Sequence, residues 1–249
     1  MVDAKIKPVD LTCEYLKDPA VIDVTAPRLS WINIAYEGER GQVQTAWEIR
    51  VSGNRELLIA GKADLWNSGK IVSDQSVNIR YNGKQLASRQ ECWWQVRVWD
   101  RKGIVSGWSQ PAFWRMGLLN TGDWKAKWIG APWQGEETLP KPSNPNVKLP
   151  EQLPPPAPLL RKEFNISKKV TRATAFVTGL GYFELYLNGE KVGNDVLVPN
   201  QTNYGKRPSL PKENIPLPDN FTEYKVLYLA YDVSDNLVKG SIALGSILG

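Results

Sequence analysis

The chain alternates apolar and polar positions in short runs. In 28–36, RLSWINIAY, Leu29 and Trp31 alternate with polar neighbours; in 44–52, QTAWEIRVS, Trp47, Ile49 and Val51 alternate with Glu48 and Arg50. In 75–83, QSVNIRYNG, the apolar set is Val77, Ile79 and Tyr81, and the run ends in the turn dipeptide Asn82-Gly83. A period of two is the signature of a half-buried strand, and turn residues at regular spacing make residues 11–117 an antiparallel β-sandwich. The sharpest run is CWWQVRVWD, 92–100. Cys92, Trp94, Val96 and Val98 share one face, apolar throughout and therefore the core face. Trp93, Gln95, Arg97 and Trp99 share the other. The pattern predicts Trp94 in the core and Trp99 outside it. It also puts Trp108, on the return segment after the turn at Arg101-Lys102-Gly103, where it can stack over Arg97.

That periodicity settles what the tryptophans are for. The chain has 11, five of them between Arg89 and Gly117. Their alternation makes most of them structural rather than platforms for a sugar ring, and Trp93 and Trp99 are expected to pack onto the next domain.

The alternation resumes at Leu160. In TGLGYFELYLNGEKVG, Phe183, Leu185 and Leu187 alternate with Tyr182, Glu184, Tyr186 and Asn188, and Asn188-Gly189 marks a hairpin. Between the two β regions, residues 131–160 hold nine of the 18 prolines, which predicts an extended loop. A second Pro-rich stretch covers 208–220. The expected domains are 8–118, a linker and Pro-rich loop at 119–160, and 161–249. The last run, IALGSILG at 242–249, carries no charge and is expected to be an unpaired sheet edge.

Composition narrows the function. The 249 residues are 42% hydrophobic and 23% charged, the range of a globular protein. The net charge is +5, but the 31 Lys and Arg are scattered among 26 acids, so no nucleic-acid partner is expected. Histidine is absent, which removes the commonest general base. Cys13 and Cys92 are too few for a disulfide framework or a zinc site; one bridge between them and two buried thiols are both open. No cofactor and no metal are expected. No apolar run reaches the length of a membrane span. Met1–Lys5 shows no export leader, so the chain is expected to be either cytoplasmic or, the favoured reading, a mature exported chain with a new initiator.

Three sets of motifs carry a resemblance. The strand WWQVRVWDRKG and the closing GWSQPAFW resemble a fibronectin type III module. The opening LTCEYLKDPAVIDVTAPRLSW, 11–31, is similar to the start of bacterial α-L-rhamnosidases of glycoside hydrolase family 78. APLLRKEF, TGLGYFELYLNGEKVG, VLVPNQTNYGKR and YLAYDVSDNLVKG match, in order, that family's N-terminal jelly-roll region. The resemblance implies an all-β chain: a fibronectin-III/Ig-like sandwich followed by a galactose-binding-like jelly-roll sandwich, incomplete at the C-terminus. It also implies that Trp124 and Trp128, in the joining segment WKAKWI, are anchored by burial. The departures are the insertion at 208–220 and KGSIALG, where the family has Glu-Asn.

In that family the two catalytic carboxylates sit in an (α/α)6 barrel that follows both β domains. Nothing here resembles it, so no catalytic residue carries over. Glu184, Asp195 and Asp232 read as a strand face, a loop and a turn. The expected function is a non-catalytic N-terminal portion of an α-L-rhamnosidase-like hydrolase acting on rhamnose-containing glycans. Its partners would be the catalytic (α/α)6 domain of the same polypeptide and a rhamnose-containing oligosaccharide. A periplasmic or extracellular location follows from the resemblance alone. The alternatives are a stand-alone carbohydrate-binding module and a fibronectin-type protein-interaction module. For sugar contact the candidates are Tyr182, Tyr186, Tyr204 and Trp133 for stacking, with Asn200 and Asn203 for hydrogen bonds.

Overall fold

Alternation becomes register in the N-terminal half. The computed structural model describes residues 4–130, 157–202, 204 and 226–249. They fall into two units, Met1–Ala126 and Lys127–Gly249. The first carries β1 (Ile6–Cys13), β2 (Arg28–Ala35), β3 (Ala46–Ser52), the short helix α1 (Arg55–Ile59), β4 (Trp66–Asn67), β5 (Ile71–Val72), β6 (Ile79–Arg80), β7 (Glu91–Trp99) and β8 (Ala112–Arg115). One sheet runs β1-β2-β6; the other runs β4-β3-β7-β8, with β5 also on β3. β3 and β7 pair from Ala46↔Trp99 to Ser52↔Trp93, so Trp47 faces Val98, Ile49 faces Val96 and Val51 faces Trp94. Those six, with Leu29 and Trp31 of β2 and Trp114 of β8, lie in one buried core. It is an Ig-like sandwich built from the inward positions of two sheets.

The outward face of β3 and β7 answers the rest of the tryptophan pattern. Trp99 is only 9% exposed yet does not join the core cluster. Lys70 Nζ lies 4.6 Å from its ring centroid, and the Arg97 guanidinium 5.5 Å. Trp108 lies between Arg50 at 4.1 Å and Arg97 at 4.7 Å. The ladder is held from behind by two serines. Ser106 Oγ accepts from Val98 N–H at 3.0 Å and Ser109 Oγ from Val96 N–H at 3.2 Å, so the segment after the turn is fastened to β7 partly through hydroxyls. The turn is organised by the buried Asp100, whose carboxylate accepts from the backbone N–H groups of Lys5, Lys102 and Ile104.

Several expectations fail here. Residues 75–83 are not one strand: β6 covers only Ile79–Arg80, and Asn78 has φ +58°, which breaks the extended run. Gly83 does not sit in a hairpin turn. A Cβ there would lie 2.5 Å from Leu65 O and from the Tyr81 hydroxyl, so glycine is required by close approach. Trp128 is 62% exposed and Trp124 half-buried. Cys13 and Cys92 are free thiols, both buried.

The second unit carries β9 (Leu159–Ile166), β10 (Thr174–Thr178), β11 (Phe183–Leu187), β12 (Glu190–Lys191), β13 (Tyr228–Asp232) and β14 (Gly240–Leu248). One sheet is ordered β12-β11-β14-β9; β10 and β13 form another pair. Asn188 and Gly189, at φ +52° and +88°, make the tight β11–β12 hairpin that this dipeptide favours. Phe183, Leu185, Leu187, Val192, Val233 and Ile242 are its buried core. The unpaired C-terminal edge is a wrong expectation. β14 pairs with β11 on one side, Phe183↔Leu248 to Leu187↔Leu244, and with β9 on the other, Gly240↔Ile166 to Ile247↔Leu159. A strand with neighbours on both sides can be apolar and uncharged, which is why the run carries no charge. The Pro-rich stretch 208–220 and most of 131–160 lie outside the described residues.

Candidate functional site

The outer face of the four-stranded sheet holds a shallow concavity of about 290 Å³. Because Phe183, Leu185 and Leu187 point into the core, Glu184 and Tyr186 point away from it. Across the register, Tyr186 stands opposite Gly245, and Gly245 opposite Arg161; one step along, Glu184 stands opposite Ile247, and Ile247 opposite Leu159. The missing side chain of Gly245 leaves a notch in the middle strand. Tyr186 walls it on one side, Leu159 and Arg161 on the other, and Ala243 and Ile247 continue the floor.

The polar groups of the face are paired and oriented. Tyr186 OH donates to Glu184 Oε2 at 2.6 Å and Lys191 Nζ to Glu184 Oε1 at 2.6 Å. Lys191 lies opposite Tyr186 across the hairpin. The hydrogen bond from Lys191, reinforced by that from Tyr186, holds the Glu184 carboxyl below its usual range. The same bond to Glu184 pushes the Tyr186 phenol up. Arg161 is ion-paired with Glu163 on its own strand. The face thus combines an apolar floor, one tyrosine wall and a rim of paired charges.

Of the candidate residues, Tyr182 and Tyr186 share this face by alternation, Tyr182 where its backbone exchanges bonds with Gly249. Asn200 is exposed and Tyr204 half-buried; neither lines the concavity. Trp133 and Asn203 lie outside the described residues. Arg161, Gly245 and Leu159 escaped sequence reasoning, although an isolated glycine inside a strand pattern is itself a signal of close approach or open space.

The three acids picked out in the sequence, Glu184, Asp195 and Asp232, each have a partner. Glu184 is engaged by Lys191 and Tyr186. Asp232 Oδ1 accepts from Ser234 N–H at 3.0 Å and from Ser234 Oγ at 2.5 Å, a turn role. Asp195 lies beside Tyr231, whose phenol is pushed up to about 12 chiefly by burial. Among the described residues, no three His, Cys, Asp or Glu side chains cluster as a metal site. Among them, too, no helix is long and apolar enough to cross a membrane.

Comparison with known proteins covers both units. Residues 8–120 match the model of the Rha78A-like N-terminal immunoglobulin domain, and residues 168–215 that of the α-L-rhamnosidase N-terminal domain. The chain carries the N-terminal domains of the α-L-rhamnosidase family. An α-L-rhamnosidase of Formosa agariphila is 35% identical over 237 residues, 93% of this chain and 23% of its own length. One of an Alteromonas species is 35% identical over 224 residues, 90% of this chain and 21% of its own. The solved α-L-rhamnosidase of Dictyoglumus thermophilum superposes with a TM-score of 0.76 at 37% identity, over 98% of this chain and 25% of that one. The chain thus spans less than a quarter of the length of these curated rhamnosidases. The all-β architecture with a leading Ig-like domain agrees with this family.

Proposed function

We propose that this chain is the non-catalytic N-terminal β region of an exported α-L-rhamnosidase that acts on rhamnose-containing glycans. The observation that carries the reading is the match of residues 8–120 and 168–215, in order, to the two rhamnosidase N-terminal domain models, within an alignment to one rhamnosidase that covers 93% of the chain. The acids described above are committed to strand, loop and turn contacts, so hydrolysis is assigned to an (α/α)6 domain elsewhere in the same polypeptide. We divide the chain at 8–118, 119–160 and 161–249, the first and last parts acting as scaffold. The test is an aryl α-L-rhamnoside assay. The full-length gene product should turn it over, and the 249-residue chain should not. Turnover by the pure chain that survives Glu184→Gln but is lost on truncation at Gly117 would place chemistry in the second half and overturn the reading.

A second role is favoured by the Gly245 concavity: contact with the glycan through Tyr186, flanked by Arg161 and Leu159. Calorimetric titration of the chain with a rhamnose-containing oligosaccharide, against the Tyr186→Ala variant, tests it. Binding unchanged by that variant would remove the concavity from consideration.

A further inference from the structure

β2 is apolar on both faces. Leu29 and Trp31 are buried in the core, while Ile32 and Ile34, on the opposite face, are 54% and 45% exposed. Val9 of β1 stands opposite Ile32, and Lys7 opposite Ile34, so the outward strip continues across both strands. Tyr36, 47% exposed, extends it just past β2, with Lys7 Nζ 5.5 Å from its ring centroid. A sheet with one face in water normally alternates apolar-in with polar-out, and strands apolar on both sides are those covered on both sides. A contiguous exposed apolar strip on a globular domain marks an interaction surface.

The length of the relatives bears on what covers it. The chain accounts for 21–23% of theirs, so more than three quarters of such a polypeptide lies in other domains. Charge separates that occupant from a second copy of this chain. Within the strip Lys7, Val9, Ile32, Ile34, Tyr36 the charged group is Lys7, and the carboxylate at its end, Glu39, is ion-paired with Lys5 at 3.0 Å, so a two-fold pairing of identical strips would bring the two Lys7 side chains onto the same small interface.

We propose that this outer strip of β1 and β2 is the docking face for a further domain of the same polypeptide, one that presents apolar side chains to Ile32 and Ile34 and an acidic group to Lys7. It rests on the reading of the chain as the N-terminal region of a longer rhamnosidase. The experiment is hydroxyl-radical footprinting of the 249-residue chain and of the full-length gene product, with Tyr36, Ile32 and Ile34 as reporters. Labelling of all three should fall several-fold in the full-length protein. Ile34→Lys should restore it there, speed proteolytic release of the N-terminal region, and leave the thermal midpoint of the 249-residue chain unchanged. Equal labelling in a longer product overturns the docking but not the family reading. A gene product that adds no further domain overturns both. Labelling of the short chain that falls as its concentration rises, with a dimer in sedimentation, assigns the strip to a second copy and overturns the proposal.

Discussion

Gly245 lies directly across the sheet from Tyr186, and a Cβ built on the glycine would meet the tyrosine Cβ at 3.6 Å. That is ordinary contact, so the notch is room that a side chain could take without forcing the strands apart. Gly245→Val should therefore fold, since a β-branched residue suits a strand. It should weaken any rhamnose-containing oligosaccharide at least about tenfold, or ~1.4 kcal/mol, by filling the floor beneath the ring. Calorimetry on the folded variant checks this; unchanged affinity would move the contact elsewhere.

Trp94 and Trp108 stand on opposite faces of the same sheet and should respond differently to truncation. Trp94 is wholly buried, and Trp94→Ala should cost about 3–5 kcal/mol. Trp108 is half-exposed between two guanidinium groups, each contact worth about 0.5–1 kcal/mol at an exposed site, so Trp108→Ala should cost roughly 1–2 kcal/mol. Urea melts of both variants give the comparison, and equal losses would contradict the placement of the core.

Asp100 links stability to pH. Burial alone would raise its pKa, but three backbone N–H donors, with Lys102 nearby, outweigh burial and hold it below the ordinary range. A carboxyl depressed in the folded state stabilises fully above its unfolded value, near 3.9. That contribution is lost as the pH falls through the lower folded value. Asp100→Asn should lose about 1–3 kcal/mol at neutral pH, because its amide group meets donors where an acceptor stood. Its stability should also fall less steeply than that of the parent below about pH 4. Melts between neutral and acid pH measure both.

Cys13 and Cys92 should be unreactive while the protein is folded. Both thiols are buried, and burial pushes both pKa values up, which suppresses the reactive thiolate. An aromatic disulfide reagent should find almost no thiol in the native chain and two after denaturation. One fast-reacting thiol in the native state would show that the first core is open.

What could be read from the chain follows the range of each interaction. Trp94 inside and Trp99 outside the core came from alternation, which is local to one strand; so did the Tyr186 face and the hairpin at Asn188-Gly189. α1 went unread because its capping residue, Asn54, which accepts from Leu57 N–H at 2.8 Å, stands before only five helical residues. β6 was overextended because the left-handed Asn78 breaks the run without disturbing its apolar spacing. The Gly245 concavity needed Arg161 and Tyr186 to be joined through a third strand. Pairing across such separations leaves no periodic trace, and the same blindness made β14 look like an edge.

β14 also fixes an order of events during synthesis. Among the described residues, β9 and β11 are joined in their sheet only through this strand, which follows both in the chain. On a ribosome they would emerge with their facing edges unmatched, and the sheet could close only once residues 240–248 are free. Closure then spans long chain separations, the kind of topology that folds slowly. By contrast, β7 and β8 of the first unit pair within a short stretch of newly made chain, from Trp94↔Ala112 to Glu91↔Arg115.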